Sequence, residues 1–165
     1  MQIKIAGLVP ESIVDGPGIR FTVFTQGCPH HCPGCHNPQT HDFAGGEWKD
    51  TDEIIAQFRQ NSLLKGITLS GGDPFVQPAA CAELARAAHK AGKDVITYTG
   101  YTFEQLLSGK VPDAGLLLEE TDILIDGRFE EEKKSLGLRF RGSSNQRAID
   151  CKKSLKIAEA VEIEL

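Results

Sequence analysis

The stretch Ile19-Arg20-Phe21-Thr22-Val23-Phe24-Thr25-Gln26-Gly27-Cys28-Pro29-His30-His31-Cys32-Pro33-Gly34-Cys35 decides how this chain is read. Its first part, Ile19 to Val23, alternates apolar and polar residues as a half-buried β-strand does. The strand runs straight into Gln26-Gly27-Cys28, so the cysteines lie on a loop at its C-terminal end. Pro29, Pro33 and Pro38, with the nearby glycines, argue against a helix there.

Outward from that loop the pattern alternates. A helix is expected from about Asp50 to Gln60, because Asp50 and Glu53 have capping-box spacing and Ile54, Ile55 and Phe58 form an apolar face. Ile67-Thr68-Leu69 reads as a short strand ending at Ser70-Gly71-Gly72. A second helix, Pro78 to Ala91, stops at Gly92. Val95 to Tyr98 is another strand, Thr102 to Leu107 a short helix, and Ile123 to Ile125 a strand ending at Asp126-Gly127. Residues 128–147 look loop-rich, and Ala160 to Leu165 reads as a last strand or a helix end. Such alternation favours an α/β fold with a parallel sheet and helical crossovers. Segments with unusual chemistry follow strands: Cys28–Cys35, Ser70–Asp73, Thr97–Gly100 and Asp126–Arg128. Loops at the C-terminal ends of parallel strands share one rim, where α/β folds build their sites.

The bulk numbers bound the answer. At 165 residues the chain fits one domain, 1–165, with a real core. A net charge of −5 argues against a nucleic-acid module, which needs a basic face for phosphates. There is no apolar run long enough for a membrane span and no apolar leader after Met1, so the expected location is cytoplasmic.

Three of the five cysteines fall within the eight residues Cys28–Cys35, which favours a metal site over a disulfide framework. Iron–sulfur clusters normally take four thiolates, so three leave one iron open to a small chelating molecule. Other readings stand beside this one. Cys32-Pro33-Gly34-Cys35 alone resembles a redox pair, Cys32-x2-Cys35-His36 matches c-type haem attachment, and zinc could recruit the triplet with His30, His31, His36 or His41. The haem reading lacks an export signal, and the redox pair leaves Cys28 unexplained. Ser70-Gly71-Gly72-Asp73-Pro74 adds a second loop in which paired glycines bring backbone close to a ligand. A tight strand-to-helix turn would look the same, yet a zinc finger has no use for it.

Taken together, Cys28-x3-Cys32-x2-Cys35 and Ser70-Gly71-Gly72-Asp73 resemble the cluster motif and the GGE-type element of the radical S-adenosylmethionine superfamily. Asp15-Gly16-Pro17-Gly18-Ile19-Arg20, Phe24-Thr25-Gln26-Gly27-Cys28 and Cys35-His36-Asn37-Pro38 resemble the glycyl-radical-enzyme activases. Arg141-Gly142-Ser143-Ser144-Asn145-Gln146-Arg147 narrows the resemblance to the subfamily that activates anaerobic ribonucleoside-triphosphate reductase. The likeness runs from about Asp15 to Leu155. It implies a partial, incomplete parallel β/α barrel, and this length allows about five or six β/α units.

The resemblance also implies roles. Cys28, Cys32 and Cys35 would ligate three irons of a [4Fe–4S] cluster. Gly34 and His36 would lie beside the adenosyl part of S-adenosyl-L-methionine, Ser70, Gly71, Gly72 and Asp73 at its methionyl amine, and Thr99 and Arg128 at its methionyl part. Asp73 stands where relatives often have Glu, so backbone rather than carboxylate contact is expected there. An external electron donor such as flavodoxin or ferredoxin would reduce the cluster. The resulting 5′-deoxyadenosyl radical would then take hydrogen from a glycine of the reductase's large catalytic subunit, since Ala158–Leu165 holds no glycine. No catalytic acid or base is nominated. Competing readings are an activase of the formate-lyase type and a non-catalytic zinc-binding or redox module.

Several residues read as structural. Cys81 falls at helical spacing with Leu84, Ala85 and Ala88, and Cys151 follows a strand, so both read as buried thiols. His30 and His31 read as exposed loop residues able to shape the cluster's surroundings or meet a partner. Glu130-Glu131-Glu132-Lys133-Lys134 reads as a solvated face. Arg139, Arg141 and Arg147 are assigned to partner or internal structural roles, and Trp48 to packing or docking.

Overall fold

A computed structural model describes residues 1–165. Its framework is a seven-stranded mixed sheet ordered β3-β1-β2-β4-β5-β6-β7. The centre comprises β2 (Arg20–Thr25), β4 (Gly66–Gly71), β5 (Asp94–Tyr98) and β6 (Ile123–Asp126), each parallel to the next. Antiparallel strands flank it: β1 (Gln2–Ser12) and β3 (Glu47–Asp50) on one side, β7 (Arg147–Asp150) on the other. The expected five or six parallel units are therefore not met. Parallel pairing stops at four strands, because β1, β3 and β7 arrive through connections without the helical crossover that reverses the chain.

Three helices appear where capping and periodicity place them. In α1 (Thr51–Arg59) the Asp50 carboxylate accepts from Asp52 N at 2.9 Å. Helix α2 (Pro78–Lys90) ends as Gly92 N and Lys93 N donate back to His89 O and Ala88 O. A capping box between Thr102 and Gln105 opens α3 (Phe103–Leu107). Helices α4 (Ala114–Leu118) and α5 (Cys151–Ile157), not expected from the sequence, complete the set. No helix is long and apolar enough to cross a membrane.

Apolar residues on one sheet face, Phe21, Val23, Ile67, Leu69, Val95, Leu124 and Ile149, meet α1, α2 and α4 in one contiguous core. Cys81 and Cys151 are buried in it, as expected. The polar side of β2 departs from expectation. Arg20 and Thr22 do not face water but are fully buried. Thr22 donates to Asp15, Thr68 Oγ1 donates to the Asp15 carbonyl, and Arg20 Nε donates to Thr68 Oγ1. Burial of polar groups is tolerable because each finds a partner. This second face is the floor of the site.

The segment after Ala160 runs extended beside β7, with Ile163 N donating to Ala148 O. Residues 128–146 hold only a turn at Glu131–Lys133 and an isolated bridge, Lys134 to Ser143.

Candidate functional site

The loops after β2, β4, β5 and β6 converge on a cavity of about 640 Å³. That lies within the range of small-molecule sites. Its wall includes Cys28, Cys32, Cys35, His36, Ser70, Gly71, Gly72, Thr99 and Gly127. Residues from four distant stretches of chain thus meet at the C-terminal ends of parallel strands.

The cysteine loop is anchored at both ends. Gly27 N donates to Thr40 O at 2.7 Å, and Cys28 N to His41 O at 3.2 Å. All three cysteines are free thiols, with Cys28 buried and Cys32 and Cys35 half-buried. Burial pushes the Cys28 thiol up, while backbone N–H groups of His30 and His31 pull it partly back. Cys32 is likewise raised by burial and eased by the Phe129 N–H and the Arg128 charge. Asn37 N donates to Cys35 Sγ at 3.4 Å. The Cys35 sulfur thus has an N–H donor, and in iron–sulfur proteins such donors help set the reduction potential. No three His, Cys, Asp or Glu side chains are gathered tightly enough to hold a single metal ion.

The Gly71–Gly72 loop packs directly on this segment. Gly72 N donates to Thr25 O and Asp73 N to Gly27 O, at 2.8 and 2.9 Å. A Cβ on Gly72 would collide with the Gly27 carbonyl, so only glycine permits the approach. Asp73 itself turns away from the cavity and is fully buried. Its carboxylate accepts from Phe75 N (3.0 Å), Gly100 N (2.9 Å), the Thr99 hydroxyl (2.9 Å) and His30 Nε2 (2.7 Å).

Not every residue singled out from the sequence lines the cavity. Gly34 is exposed and faces the Glu131 carboxylate, where a Cβ would lie 2.9 Å away. Arg128 is exposed outside the lining, with its carbonyl held by Asn145 Nδ2 at 2.7 Å. His30 corrects the expectation most clearly: its side chain is only 3% exposed. His31 is exposed. Arg147 is engaged internally by Asp126 and Glu104.

Other wall residues were not singled out. Phe24 and Tyr98 come from the floor, and Leu136, Leu138 and Phe140 from a strap over residues 134–142. Tyr98 Oη donates to the Phe140 carbonyl at 2.8 Å and so tethers the strap. Strand parity places Phe24 and Tyr98 beside Ser70 in adjoining strands, but no sequence signal announces the strap.

Comparison with known proteins adds an independent result. A family model described as a 4Fe-4S single cluster domain matches residues 14–149. The anaerobic ribonucleoside-triphosphate reductase-activating protein of Salmonella typhi is 38% identical over 145 residues, covering 83% of this chain and 92% of that one. Its namesake from Vibrio cholerae serotype O1 is 36% identical, covering 83% and 91%. The protein of that name from Enterobacteria phage T4 is 33% identical, covering 85% and 89%. Among solved structures, QueE from Escherichia coli superposes with a TM-score of 0.50 at 18% identity, covering 62% of this chain and 54% of its own, a likeness of fold alone. With a 4Fe-4S model spanning the cysteine loop through β7, and relatives matched over nearly their full length, the chain belongs to the family of anaerobic ribonucleoside-triphosphate reductase-activating proteins.

Proposed function

We propose that this chain holds a [4Fe–4S] cluster on Cys28, Cys32 and Cys35, leaves one iron without a protein ligand, and binds S-adenosyl-L-methionine there to form a glycyl radical on anaerobic ribonucleoside-triphosphate reductase. The observation that carries the reading is the opening of three free thiols and the half-buried Gly71–Gly72 backbone onto one cavity. The donor set fits the group, being three free cysteine sulfurs on one cavity wall, with Cys35 Sγ also accepting from Asn37 N. When bound and reduced by an external donor of the flavodoxin or ferredoxin kind, such a cluster would supply one electron to the sulfonium of S-adenosyl-L-methionine, the chemistry through which a hydrogen atom would be taken from the reductase's glycine.

The chain's own residues bind, orient and shield. Ser70, Gly71 and Gly72 offer backbone groups to the methionyl amine. Thr99 already donates its hydroxyl proton to Asp73, so toward a ligand it is an acceptor. Asp73 acts as a brace, since its oxygens are occupied by four donor groups. His36 packs against Phe129 with ring centroids 5.2 Å apart and planes tilted by 47°, and its own ring face would meet adenine, with Gly34 nearby in the chain. Arg128, exposed at the rim, would supply a cation for the methionyl carboxylate. No side chain is needed as acid or base, because positioning and exclusion of side reactions are the protein's share. The four parallel strands are read as the core of an incomplete barrel, and residues 1–165 as one domain whose open rim admits the partner.

Anaerobic iron and sulfide analysis with electron paramagnetic resonance tests this. Wild-type protein, reductant, S-adenosylmethionine and the reductase subunit should give 5′-deoxyadenosine and a glycyl radical signal. Cys28→Ser, Cys32→Ser and Cys35→Ser should each lose both, while Cys81→Ala and Cys151→Ala keep them. Full cluster content and product in any of the first three variants would overturn the ligand assignment.

A further inference from the structure

His30 sits midway between Cys28 and Cys32, yet its ring turns inward onto Asp73, and both side chains are essentially buried, at 3% and 0% exposure. Nε2 lies 2.7 Å from Asp73 Oδ2. The other donors to that carboxylate, Phe75 N, Gly100 N and the Thr99 hydroxyl, come from the loops after β4 and β5. One buried carboxylate thus joins three rim loops. Tyr101 packs edge-on against the imidazole at 4.5 Å, and a Cβ on Gly100 would run into the ring, so the pocket is shaped around His30.

The cysteine loop has little else to hold it. Across residues 29–36 the backbone makes one internal bond, Cys35 N to Cys32 O. Only the His30 ring reaches another element by hydrogen bond.

We infer that His30 is a positioning residue: by donating from Nε2 to the buried Asp73 carboxylate, it fastens the cysteine loop to the Gly71–Gly72 loop and presets Cys28 and Cys32 before any cofactor arrives. This rests on the ligand reading above, but the bond exists in the metal-free chain and can be tested there. His30→Leu fills the space without a donor, and His30→Gln returns an amide N–H to about the position of Nε2. Three donors to Asp73 remain in either variant, which favours folding.

The test is the alkylation rate of each cysteine by iodoacetamide in metal-free full-length protein, read by peptide mass spectrometry. Loss of a hydrogen bond to a charged group should open the loop about tenfold more often. Cys28 and Cys32 should therefore react about tenfold faster in His30→Leu and at close to the wild-type rate in His30→Gln. Cys81 and Cys151, buried in the core, report global unfolding and should not change. Unchanged Cys28 reactivity in His30→Leu overturns the inference, as does equal acceleration of Cys81 and Cys151, or His30→Gln behaving like His30→Leu. Failure of the cluster reading would show instead as missing iron in the wild type and would leave this result standing.

Discussion

Replacing Arg20 with methionine should lower the stability of the metal-free protein by about 3 kcal/mol. The guanidinium is fully buried and donates four times: to Thr68 Oγ1 (2.7 Å), Pro17 O (3.1 Å), Ile67 O (2.9 Å) and Asp94 Oδ1 (2.5 Å). In-register pairing explains the reach, because Arg20 and Asp94 flank Gly66, whose missing side chain leaves room between them. Methionine keeps the apolar stem but strands the three neutral acceptors, each worth about 1 kcal/mol. Asp94 is 32% exposed and recovers water, so the ion pair adds little. Removing a buried charge returns some solvation energy, which keeps the total near 3 rather than 5 kcal/mol. For a chain of this size that corresponds to about 6–12 °C in the midpoint of a circular-dichroism melt. Arg20→Lys should cost at least as much, since one ammonium cannot span four acceptors and remains charged. A lysine variant melting within about 2 °C of wild type would refute the reasoning, for then charge rather than the four-way geometry would matter.

Two other outcomes are expected. Tyr98→Phe removes the tether on Phe140 O, worth about 1 kcal/mol, so trypsin should cut at Lys133, Lys134, Arg139 or Arg141 about fivefold faster with little change in melting; an unchanged cutting rate would show that the strap is held otherwise. At Glu104 burial alone would raise the carboxyl, but the Arg147 guanidinium hydrogen-bonded to it at 2.6 Å holds it below its ordinary value of 4.5. Its contribution is therefore present above pH 4.5 and fades as pH falls through the lowered folded value. Because Glu104 is 59% exposed, Glu104→Gln should cost under about 0.5 kcal/mol at neutral pH, and the gap to wild type should close on acidification; a gap that widens in acid contradicts the assignment.

The sequence by itself determined the local structure and the family. Capping residues and apolar spacing placed α1, α2 and α3 within a residue or so, and the cysteine spacing and paired glycines, narrowed by Arg141–Arg147, pointed to the family, because these signals act over a few residues. The antiparallel margins were not legible. Strand β1 carries register shifts at Ile5–Gly7 and Val9–Ser12 that break its alternation, and β3 is an edge strand of largely polar residues. Tertiary structure alone decided that the polar side of β2 is buried, that His30 points inward, and that Asp73 braces loops rather than lining the cavity. The physical reason is that a polar side chain can enter the interior only when partners meet it there. The partners of Arg20 and His30 include Asp94 and Asp73, which lie 74 and 43 residues along the chain. Only the parallel stacking of β2, β4 and β5 brings them within reach.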